Sequence, residues 1–320
     1  MNGTIYMPVG EVCSSISDTY REKKNMVTLI NTSDVLEGRV LNHERVPNSN
    51  LKGQFKKTFQ RDDILYSEIR PQNRRFAYVD FSPIDYIAST KLMVIRAKKD
   101  VVSPKYLYYF LKNSSTVAEL QLLAETRSGT FPQITFSEVA NLTIPVPSLA
   151  VQEVIVQTMQ CLEDKITCNE QINDNLQQQA MSLYAEMFLN SSDSNVTSGT
   201  LSDIAVITMG QSPSGSSYNE DGVGEVFYQG RAEFGFRFPK RRLFTTEPKR
   251  IAEAGDVLLS VRAPVGDLNI AYERCCIGRG LGAIHSKTGH SSFVLYTMFA
   301  LRSQLDVFNG EGTVFGSINR

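Results

Sequence analysis

The stretch that decides the organisation of this chain is residues 149–189, LAVQEVIVQTMQCLEDKITCNEQINDNLQQQAMSLYAEMFL. Positions spaced alternately by four and three residues form one ladder through it, which we call the seam: Ile155, Met159, Leu162, Ile166, Asn169, Asn173, Leu176, Ala180, Leu183 and Met187. All but the two asparagines are apolar, and no Pro or Gly interrupts the stretch. The pattern predicts one long helix with a narrow apolar stripe, which is typical of a coiled coil.

Two interpretations of this helix compete: a core helix of a single domain, or an exposed helix that connects two domains. The faces away from the seam are polar, and Asn169 and Asn173 lie inside it. Buried amides weaken a coiled coil but fix its register and its partner, whereas a globular core tends to exclude them. We therefore favour an exposed connecting helix, whose seam needs a partner.

The composition is ordinary for a soluble protein. The 320 residues suffice for two domains, 42% of them are hydrophobic, and the formal net charge is -1. No apolar run approaches the length of about 20 residues that a membrane-spanning helix needs, and the start, MNGTIYMPVGEV, lacks the pattern of a secretory signal. The five cysteines show no metal-binding spacing. We therefore expect a cytoplasmic protein without membrane contact, zinc site or disulfide framework.

The sequence before the long helix recurs after it. Four short matches keep their order: VGEV with LSDI, DILYS with DVLLS, YLY with VLY, and GT with GT, which begin at Val9, Asp63, Tyr106 and Gly129 and again at Leu201, Asp256, Val294 and Gly312. Runs such as DILYS predict strands, and YLYYFL after Ser103-Pro104 predicts a helix. The matches therefore indicate a duplicated domain that mixes α and β structure.

This repeat predicts domains at residues 1–147 and 200–320, with the helix at 148–190 and a polar linker, NSSDSNVTSG, after it. In the first copy, the GT pair is followed by the strand-like IPVP at Ile144–Pro147 and then by the helix. In the second copy the chain stops at Arg320. We expect that the second domain is incomplete and lacks its closing strand and helix. Either the coding region is truncated or another chain supplies the helix.

Residues for catalysis are not recognisable in the sequence. The three histidines, His43, His285 and His290, lie in unrelated contexts. No GxxxxGK[ST] loop is present, and GRGLG at Gly278–Gly282 is not preceded by a dinucleotide-binding pattern. We therefore predict neither a catalytic residue nor a metal site, and a stand-alone nuclease or methyltransferase is disfavoured.

Basic and amide side chains give a stronger signal. Arg and Lys contact phosphates, and Arg, Asn and Gln can also bond base edges in the major groove. The predicted DNA contacts are Arg70, Gln72, Asn73, Arg74, Arg75, Arg127, Thr130, Gln133, Gln211, Ser212, Arg231, Lys240, Arg241, Arg242 and Arg262. A solvated charged surface is the alternative, and Arg262 could instead pair internally with Asp256 or Asp267.

Several longer motifs carry a family resemblance. They are GQSPSGSSYN at Gly210–Asn219, FYQG at Phe227–Gly230, AGDVLLSVRAPVGD at Ala254–Asp267, IGRGL at Ile277–Leu281, GTVFGSI at Gly312–Ile318 and IPVPSLAVQ at Ile144–Gln152. In this combination, which covers nearly the whole chain, the sequence resembles the DNA-specificity subunit of type I restriction–modification systems. It departs from that pattern by ending before a second long helix.

The resemblance implies a non-catalytic protein with two α/β target-recognition domains. Each domain would read one half of a split site on double-stranded DNA, and two antiparallel helices would hold the domains at a fixed distance. The subunit would bind no cofactor itself. Methyltransferase subunits, which use S-adenosylmethionine to methylate adenine, and restriction subunits, which cleave DNA with ATP and Mg²⁺, would be its partners.

Because the second helix is missing, the resemblance leaves three further possibilities. Two copies could pair through the seam as a homodimer. The chain could be a truncated or recombining remnant that acts only as a coiled-coil interaction protein. It could also be the specificity chain of another restriction type.

Overall fold

The structure is a computed structural model, which describes residues 3–49, 53–127, 131–190 and 199–309. Its contacts separate two compact units, Met1–Cys168 and Asn169–Arg320, and the division falls within the long helix. We describe each unit by itself. The domain limits 1–147, 148–190 and 200–320 remain predictions.

In its described residues, unit 1 combines twelve strands with four shorter helices and the first part of the long helix. The helices are α1 (Val9–Val12), α2 (Pro104–Lys112), α3 (Ser114–Arg127), α4 (Phe136–Asn141) and α5 (Leu149–Tyr184). The strands are β1 (Ile5–Pro8), β2 (Cys13–Ile16), β3 (Met26–Ile30), β4 (Val35–Leu36), β5 (Arg39–Val40), β6 (Arg45–Pro47), β7 (Phe55–Lys57), β8 (Ile64–Ser67), β9 (Phe76–Tyr78), β10 (Tyr86–Ser89), β11 (Leu92–Ala97) and β12 (Thr143–Val146).

Two four-stranded sheets form the body of unit 1, in the orders β2-β11-β8-β9 and β6-β3-β10-β7. Strands β8 and β11 are almost wholly buried, so their sequences read as apolar runs. Ile64 and Tyr66 join a core with the helices, while Leu65 joins the core between the sheets. This alternation follows from the two-residue period of a strand.

Strand β12 carries the proline-rich segment that precedes the long helix. It pairs antiparallel with β1, with Ile5 opposite Val146 and Pro8 opposite Thr143. The IPVP run is therefore a strand of a two-stranded ribbon, and the long helix begins two residues after Pro147.

The part of unit 2 that the structure describes contains the end of the long helix, three shorter helices and nine strands. The helices are α6 (Leu201–Ile204), α7 (Ser291–Ala300) and α8 (Arg302–Asp306). The strands are β13 (Ala205–Met209), β14 (Tyr218–Asn219), β15 (Glu225–Tyr228), β16 (Leu243–Thr245), β17 (Ile251–Ala252), β18 (Val257–Ser260), β19 (Leu268–Ile270), β20 (Cys275–Ile277) and β21 (Leu281–Ser286).

The sheets of unit 2 repeat the topology of unit 1. One sheet has the order β13-β21-β18-β19, which matches β2-β11-β8-β9 strand for strand. The other sheet contains the strand order β16-β15-β20-β17, which matches β6-β3-β10-β7. In each of these two orders the central pair of strands, β15–β20 or β3–β10, is parallel. In each copy a short helix, α1 or α6, precedes β2 or β13, and a longer helix, α2 or α7, follows β11 or β21. The predicted fold class, α/β (α+β) with two tandem domains joined by a long helix, is confirmed.

The predicted long helix is continuous in α5 from Leu149 to Tyr184, and a π-helical turn, Ala185–Leu189, completes it. Gln152 and Val156 are its buried residues. The Gln152 side chain donates to the carbonyls of Val101 and Pro147 and accepts from the Ser103 amide. These bonds fix the start of the helix on unit 1, while the seam residues lie on other faces.

Candidate nucleic-acid interface

The loop after β8 carries five of the predicted DNA contacts of unit 1. Arg70 and Arg74 have φ values of 43° and 52°, a left-handed conformation that costs a non-glycine residue free energy. The Arg70 amide donates to the Pro132 carbonyl at 3.1 Å, and the Ile134 amide donates to the Glu68 carbonyl at 2.9 Å. These backbone bonds bring the loop beside Gln133.

Two arginines of this loop are engaged within unit 1. The Arg74 guanidinium donates to Ser114 Oγ at 2.9 Å, and the Arg75 guanidinium donates to the Ser33 carbonyl at 2.9 Å. Both side chains are only partly exposed. These two arginines hold the loop in place. Any ligand would therefore be contacted mainly by other residues of the loop.

The remaining side chains of the loop face solvent. Arg70, Gln72 and Asn73 are exposed, and none of the three side chains bonds to another described residue. Gln133 is partly buried and accepts from Lys91 Nζ at 3.2 Å. Arg70, Gln72 and Asn73 are therefore the predicted contacts of this loop whose side chains are available to a ligand. The side chain of Arg127, at the end of α3, and all of Thr130 lie outside the described residues.

In unit 2, glycines allow three loops to meet at the edge of the sheets where β18 ends, which corresponds to the edge of unit 1 where β8 ends. A Cβ on Gly210 would lie 2.1 Å from the Gly278 carbonyl oxygen, and one on Gly280 would lie 2.7 Å from the Gln229 carbonyl oxygen. The Gln211 amide donates to the Ile277 carbonyl at 3.0 Å. No larger residue fits such approaches, so the glycines of the GQSP and IGRGL motifs let their loops pack against each other and against Gln229 of the YQG motif.

Arg262 is exposed in the loop between β18 and β19. The expectation that it could pair with Asp256 or Asp267 is wrong. Asp256 bonds His285 Nδ1 at 2.6 Å, while Asp267 binds Arg231 at 2.6 Å and Arg302 at 3.0 Å. Within the described ranges, Arg262 has no ion-pair partner, and its charge is available to a ligand.

The other cations predicted as DNA contacts in unit 2 divide into those that bind a carboxylate of the protein and one that does not. Arg241 forms a forked pair with Glu273, and Arg242 binds the buried Glu233 at 2.7 Å. The bond from Glu233 raises the pKa of Arg242. Lys240 is exposed, and its ammonium group bonds to none of the described residues. Arg231 and Arg241 stay about half exposed despite their carboxylates, so each can still reach a phosphate.

Two residues of this edge were missed as candidate contacts. Gln229 and Arg279 are exposed, and the Arg279 amide donates to Ser212 Oγ at 3.3 Å. Gln211 is exposed beside them. The signal was present in the sequence, since Gln229 and Arg279 belong to the YQG and IGRGL motifs. What the sequence could not provide is the junction that places them next to Gln211 and Ser212.

The seam of the long helix forms a second surface. Its large residues are exposed, with Leu162 at 56%, Ile166 at 58% and Leu176 at 57%. Ala180, Leu183 and Met187 also border an open cavity of about 780 Å³, together with Phe293 and Tyr296 of α7. An apolar stripe of this kind on the exposed side of a helix suits a protein partner.

Neither a metal centre nor a membrane span is found in the described part of the chain. It contains no group of three or more His, Cys, Asp or Glu side chains placed to hold a metal ion. None of its helices is both long enough and apolar enough to cross a bilayer.

Comparison with known proteins assigns the family. The profile described as "Type I restriction modification DNA specificity domain" matches residues 6–178, which is more than half of the chain. The chain belongs to this family of DNA specificity domains, as the sequence motifs indicate.

Two curated relatives agree with this assignment. The type I restriction enzyme HindI specificity subunit of Haemophilus influenzae is 41% identical over 177 residues, 55% of this chain and 39% of that subunit. The putative type I restriction enzyme MjaX specificity subunit of Methanocaldococcus jannaschii is 31% identical over 278 residues, 81% of this chain and 65% of that subunit. The chain thus spans less than two thirds of the length of either relative.

The fold also has a counterpart among solved structures. A chain from a structure described by the words "complex assembly" and "conformational transition of the type I R-M system" is 27% identical, with a TM-score of 0.51. The likeness covers 100% of this chain and 83% of that one.

Proposed function

We propose that this chain is a sequence-specific DNA-binding specificity subunit without catalysis of its own. It directs the methyltransferase and endonuclease subunits of a type I restriction–modification system to a bipartite DNA site. The observation that carries the proposal is the duplicated α/β unit in a chain of the DNA specificity family. Two copies of one recognition fold suit a site with two halves.

Each unit contacts DNA through the edge described above. In unit 1 the exposed Arg70, Gln72 and Asn73 read bases or bind phosphates, and Gln133 supports them. In unit 2, Arg262 and the exposed Gln211 act together with Arg231 and Ser212. Arg side chains can bond guanine and amides can bond adenine in the major groove, so these edges combine the two chemistries that base recognition needs.

Four further groups of predicted contacts stay in the proposal, each with a different role. Lys240 binds phosphate as a free cation. Arg241 and Arg242 would have to share their guanidinium groups with Glu273 and Glu233. Arg74 and Arg75 position the unit 1 loop. Arg127 and Thr130 stay in the proposal as predicted contacts, with the Arg127 side chain and all of Thr130 outside the described residues.

The partners supply the chemistry. The methyltransferase subunits bind S-adenosylmethionine, and the restriction subunits use ATP and Mg²⁺, so this chain needs no cofactor. We place the complex in the cytoplasm, where the DNA is. The exposed seam binds a second helix, either of another chain or of a second copy of this one.

A titration with salt tests DNA binding directly. Duplexes selected from a random library should bind with an affinity that falls steeply as salt rises, because phosphate contacts release counterions. A coiled-coil interaction protein predicts no salt-dependent affinity for any duplex. The absence of salt-dependent binding to any duplex would contradict the proposal that the two units bind DNA.

A further inference from the structure

We propose that Gln121 and Asn309 are equivalent positioning residues, each of which fixes the backbone of a loop that contacts DNA. These two loops, which we call the edge loops, are residues 68–75 of unit 1 and residues 261–267 of unit 2. They follow the central strands β8 and β18. The proposal rests on the function proposed above, in which these loops contact the two halves of the DNA site. It assigns the side chains that hold the loops in the conformation needed for recognition.

The same hydrogen bond to an edge loop occurs in both units. In unit 1 the Gln72 amide donates to Gln121 Oε1 at 3.2 Å. In unit 2 the Val265 amide donates to Asn309 Oδ1 at 2.5 Å. Each donor is the first backbone amide after the proline of its edge loop. Each acceptor is a carboxamide oxygen from the segment that follows α2 or α7. Both units therefore use the same donor and the same type of acceptor.

The two carboxamides also occupy equivalent positions in the sequence repeat. Tyr106 in α2 and Val294 in α7 begin one pair of matching segments. Gln121 lies fifteen residues after the first of them, and Asn309 lies fifteen residues after the second. Equivalent positions thus reach equivalent loops, with a shorter side chain in unit 2.

A second contact joins each edge loop to the same segment. In unit 1 the Arg74 guanidinium donates to Ser114 Oγ at 2.9 Å. In unit 2 the Arg302 guanidinium donates to Asp267 at 3.0 Å and also to the Gly266 carbonyl. Ser114 and Arg302 are the first residues of α3 and α8. The guanidinium belongs to the loop in unit 1 and to the helix in unit 2, so donor and acceptor have exchanged sides while the contact is present in both.

In unit 1 the carboxamide is held in one orientation. Gln121 is only 7% exposed, and its Nε2 donates to Glu125 Oε1 at 2.7 Å. Because its amide group is engaged by the helix, its oxygen points to the edge loop and favours the backbone conformation that supplies a donor. The side chains of Gln72 and Asn73 stay exposed. Gln121 therefore fixes the backbone of the loop and leaves these side chains available to DNA.

In unit 2 the carboxamide satisfies a buried backbone. Val265 is fully buried, and the Asn309 side chain bonds both its amide and, at 3.4 Å, its carbonyl. A buried N–H group without a partner costs free energy. Loss of the carboxamide would thus favour another conformation of the loop. Arg262, three residues earlier in this loop, would be displaced with it.

Discrimination between DNA half-sites tests both assignments. The affinity of the full chain would be measured for the selected duplex and for duplexes with one base pair changed in either half. For each half we would use the change that weakens wild-type binding most, which we expect to cost roughly 100-fold. Gln121→Met removes the acceptor at similar volume and should lower this ratio about tenfold at one half only. Asn309→Leu should do the same at the other half only.

The ratio of the two affinities distinguishes positioning from a purely structural role, because a smaller folded fraction lowers both affinities equally. A double variant, Gln121→Glu with Glu125→Gln, exchanges donor and acceptor within the helix and keeps an oxygen towards the loop. It should restore the ratio to within about twofold of the wild-type value. Gln171→Met, at an exposed glutamine of the long helix, is the matched control and should leave both ratios unchanged.

A milder variant tests unit 2 independently of Asn309. Arg302 is 40% exposed, so Arg302→Met removes the second contact with little effect on the core. It should lower the ratio at the same half as Asn309→Leu. An unchanged ratio in this variant, or an equal loss at both halves in any of the variants, would overturn the inference.

Failure of this inference can be separated from failure of the proposed function. Unchanged ratios in the variants of a chain that does discriminate at both halves would contradict the inference alone. A wild-type chain that discriminates at neither half would contradict the proposed function and the inference together.

Discussion

Arg96 and His285 occupy equivalent positions in the two units and hold equivalent aspartates. Each is the fifth residue of its strand, β11 or β21. Arg96 donates to both oxygens of Asp63 at 2.7 and 2.8 Å, and His285 Nδ1 lies 2.6 Å from an oxygen of Asp256. Both aspartates are buried just before the central strand. The duplication thus preserved the carboxylate and its role while the partner changed.

The first prediction concerns the unit 1 pair. Arg96→Ala should destabilise unit 1 by about 2–3 kcal/mol, because it leaves a buried carboxylate without its cation, although the partial exposure of Arg96 reduces the effect. Hydrogen exchange should accelerate at β8, Ile64–Ser67, and stay unchanged at β18, Val257–Ser260. Lys99→Ala, which breaks an exposed pair with Asp62 at 2.6 Å, should cost less than about 1 kcal/mol. Equal effects of the two variants would contradict this account.

The second prediction concerns Tyr66, whose buried hydroxyl has no hydrogen-bond partner among the described residues. Burial also raises its pKa above the usual range. Tyr66→Phe should be neutral or should raise the free energy of unfolding by up to about 1–3 kcal/mol, since an unsatisfied polar group is removed. Denaturant unfolding measures this change.

The control for that measurement is Tyr106→Phe. The Tyr106 hydroxyl donates to the Pro145 carbonyl at 2.8 Å, so its loss should lower the free energy of unfolding by about 1 kcal/mol. If Tyr66→Phe destabilises as much as Tyr106→Phe, the Tyr66 hydroxyl has a partner that this account omits.

The third prediction concerns DNA contacts. Arg262→Ala should weaken binding to the selected duplex without loss of stability, because Arg262 has no protein partner in the described ranges. If Arg262 contacts a phosphate, the slope of the logarithm of the binding constant against the logarithm of the salt concentration should become smaller by about 1. If it contacts a base, the variant should lose about 1–3 kcal/mol of binding free energy and relax the specificity at one position of the site. Arg274→Ala is the matched control, since Arg274 is similarly exposed but pairs with Glu225 and Glu253. Equal affinity of the two variants would remove Arg262 from the interface.

The fourth prediction concerns the cysteines. Burial raises the pKa of Cys13 and Cys275 to about 12 and also raises the pKa of Cys276. Since the thiolate is the reactive form, these three thiols should react slowly at neutral pH and faster as the pH rises towards their pKa values. Cys161 and Cys168 are exposed on the long helix and lie outside the seam. They should therefore react first. Mass spectrometry of alkylated peptides checks the order; early labelling of Cys275 would contradict the fold of unit 2.

Much of the architecture was predictable because it depends on local pattern. The spacing of Leu162, Ile166 and Leu176 predicts the long helix, and the matching DILYS and DVLLS runs predict the central strands β8 and β18. The four matches in order predict the duplication that the sheet topology shows, although the GT pair lies outside the described residues. Each of these features can be recognised from short runs of sequence, without knowing which distant side chains come into contact.

The candidate site was less predictable because its partners are distant in sequence. Arg231 pairs with Asp267, and Arg75 donates to the Ser33 carbonyl. No sequence pattern distinguishes these engaged arginines from the free Arg70 and Arg262. The proximity of Arg279 to Ser212 likewise depends on glycines from separate loops. Charge clusters therefore locate the edges, and only the fold separates the available side chains from those that hold the loops.

The central claim is that two recognition units direct methylation to a bipartite site. Co-expression with the cognate methyltransferase subunit, followed by sequencing of methylated bases in the host DNA, tests it most directly. We predict adenine methylation at a motif of two separated halves, with Arg70→Ala relaxing one half and Arg262→Ala relaxing the other. Absence of methylation despite a stable complex would contradict the account, as would a motif that neither variant changes.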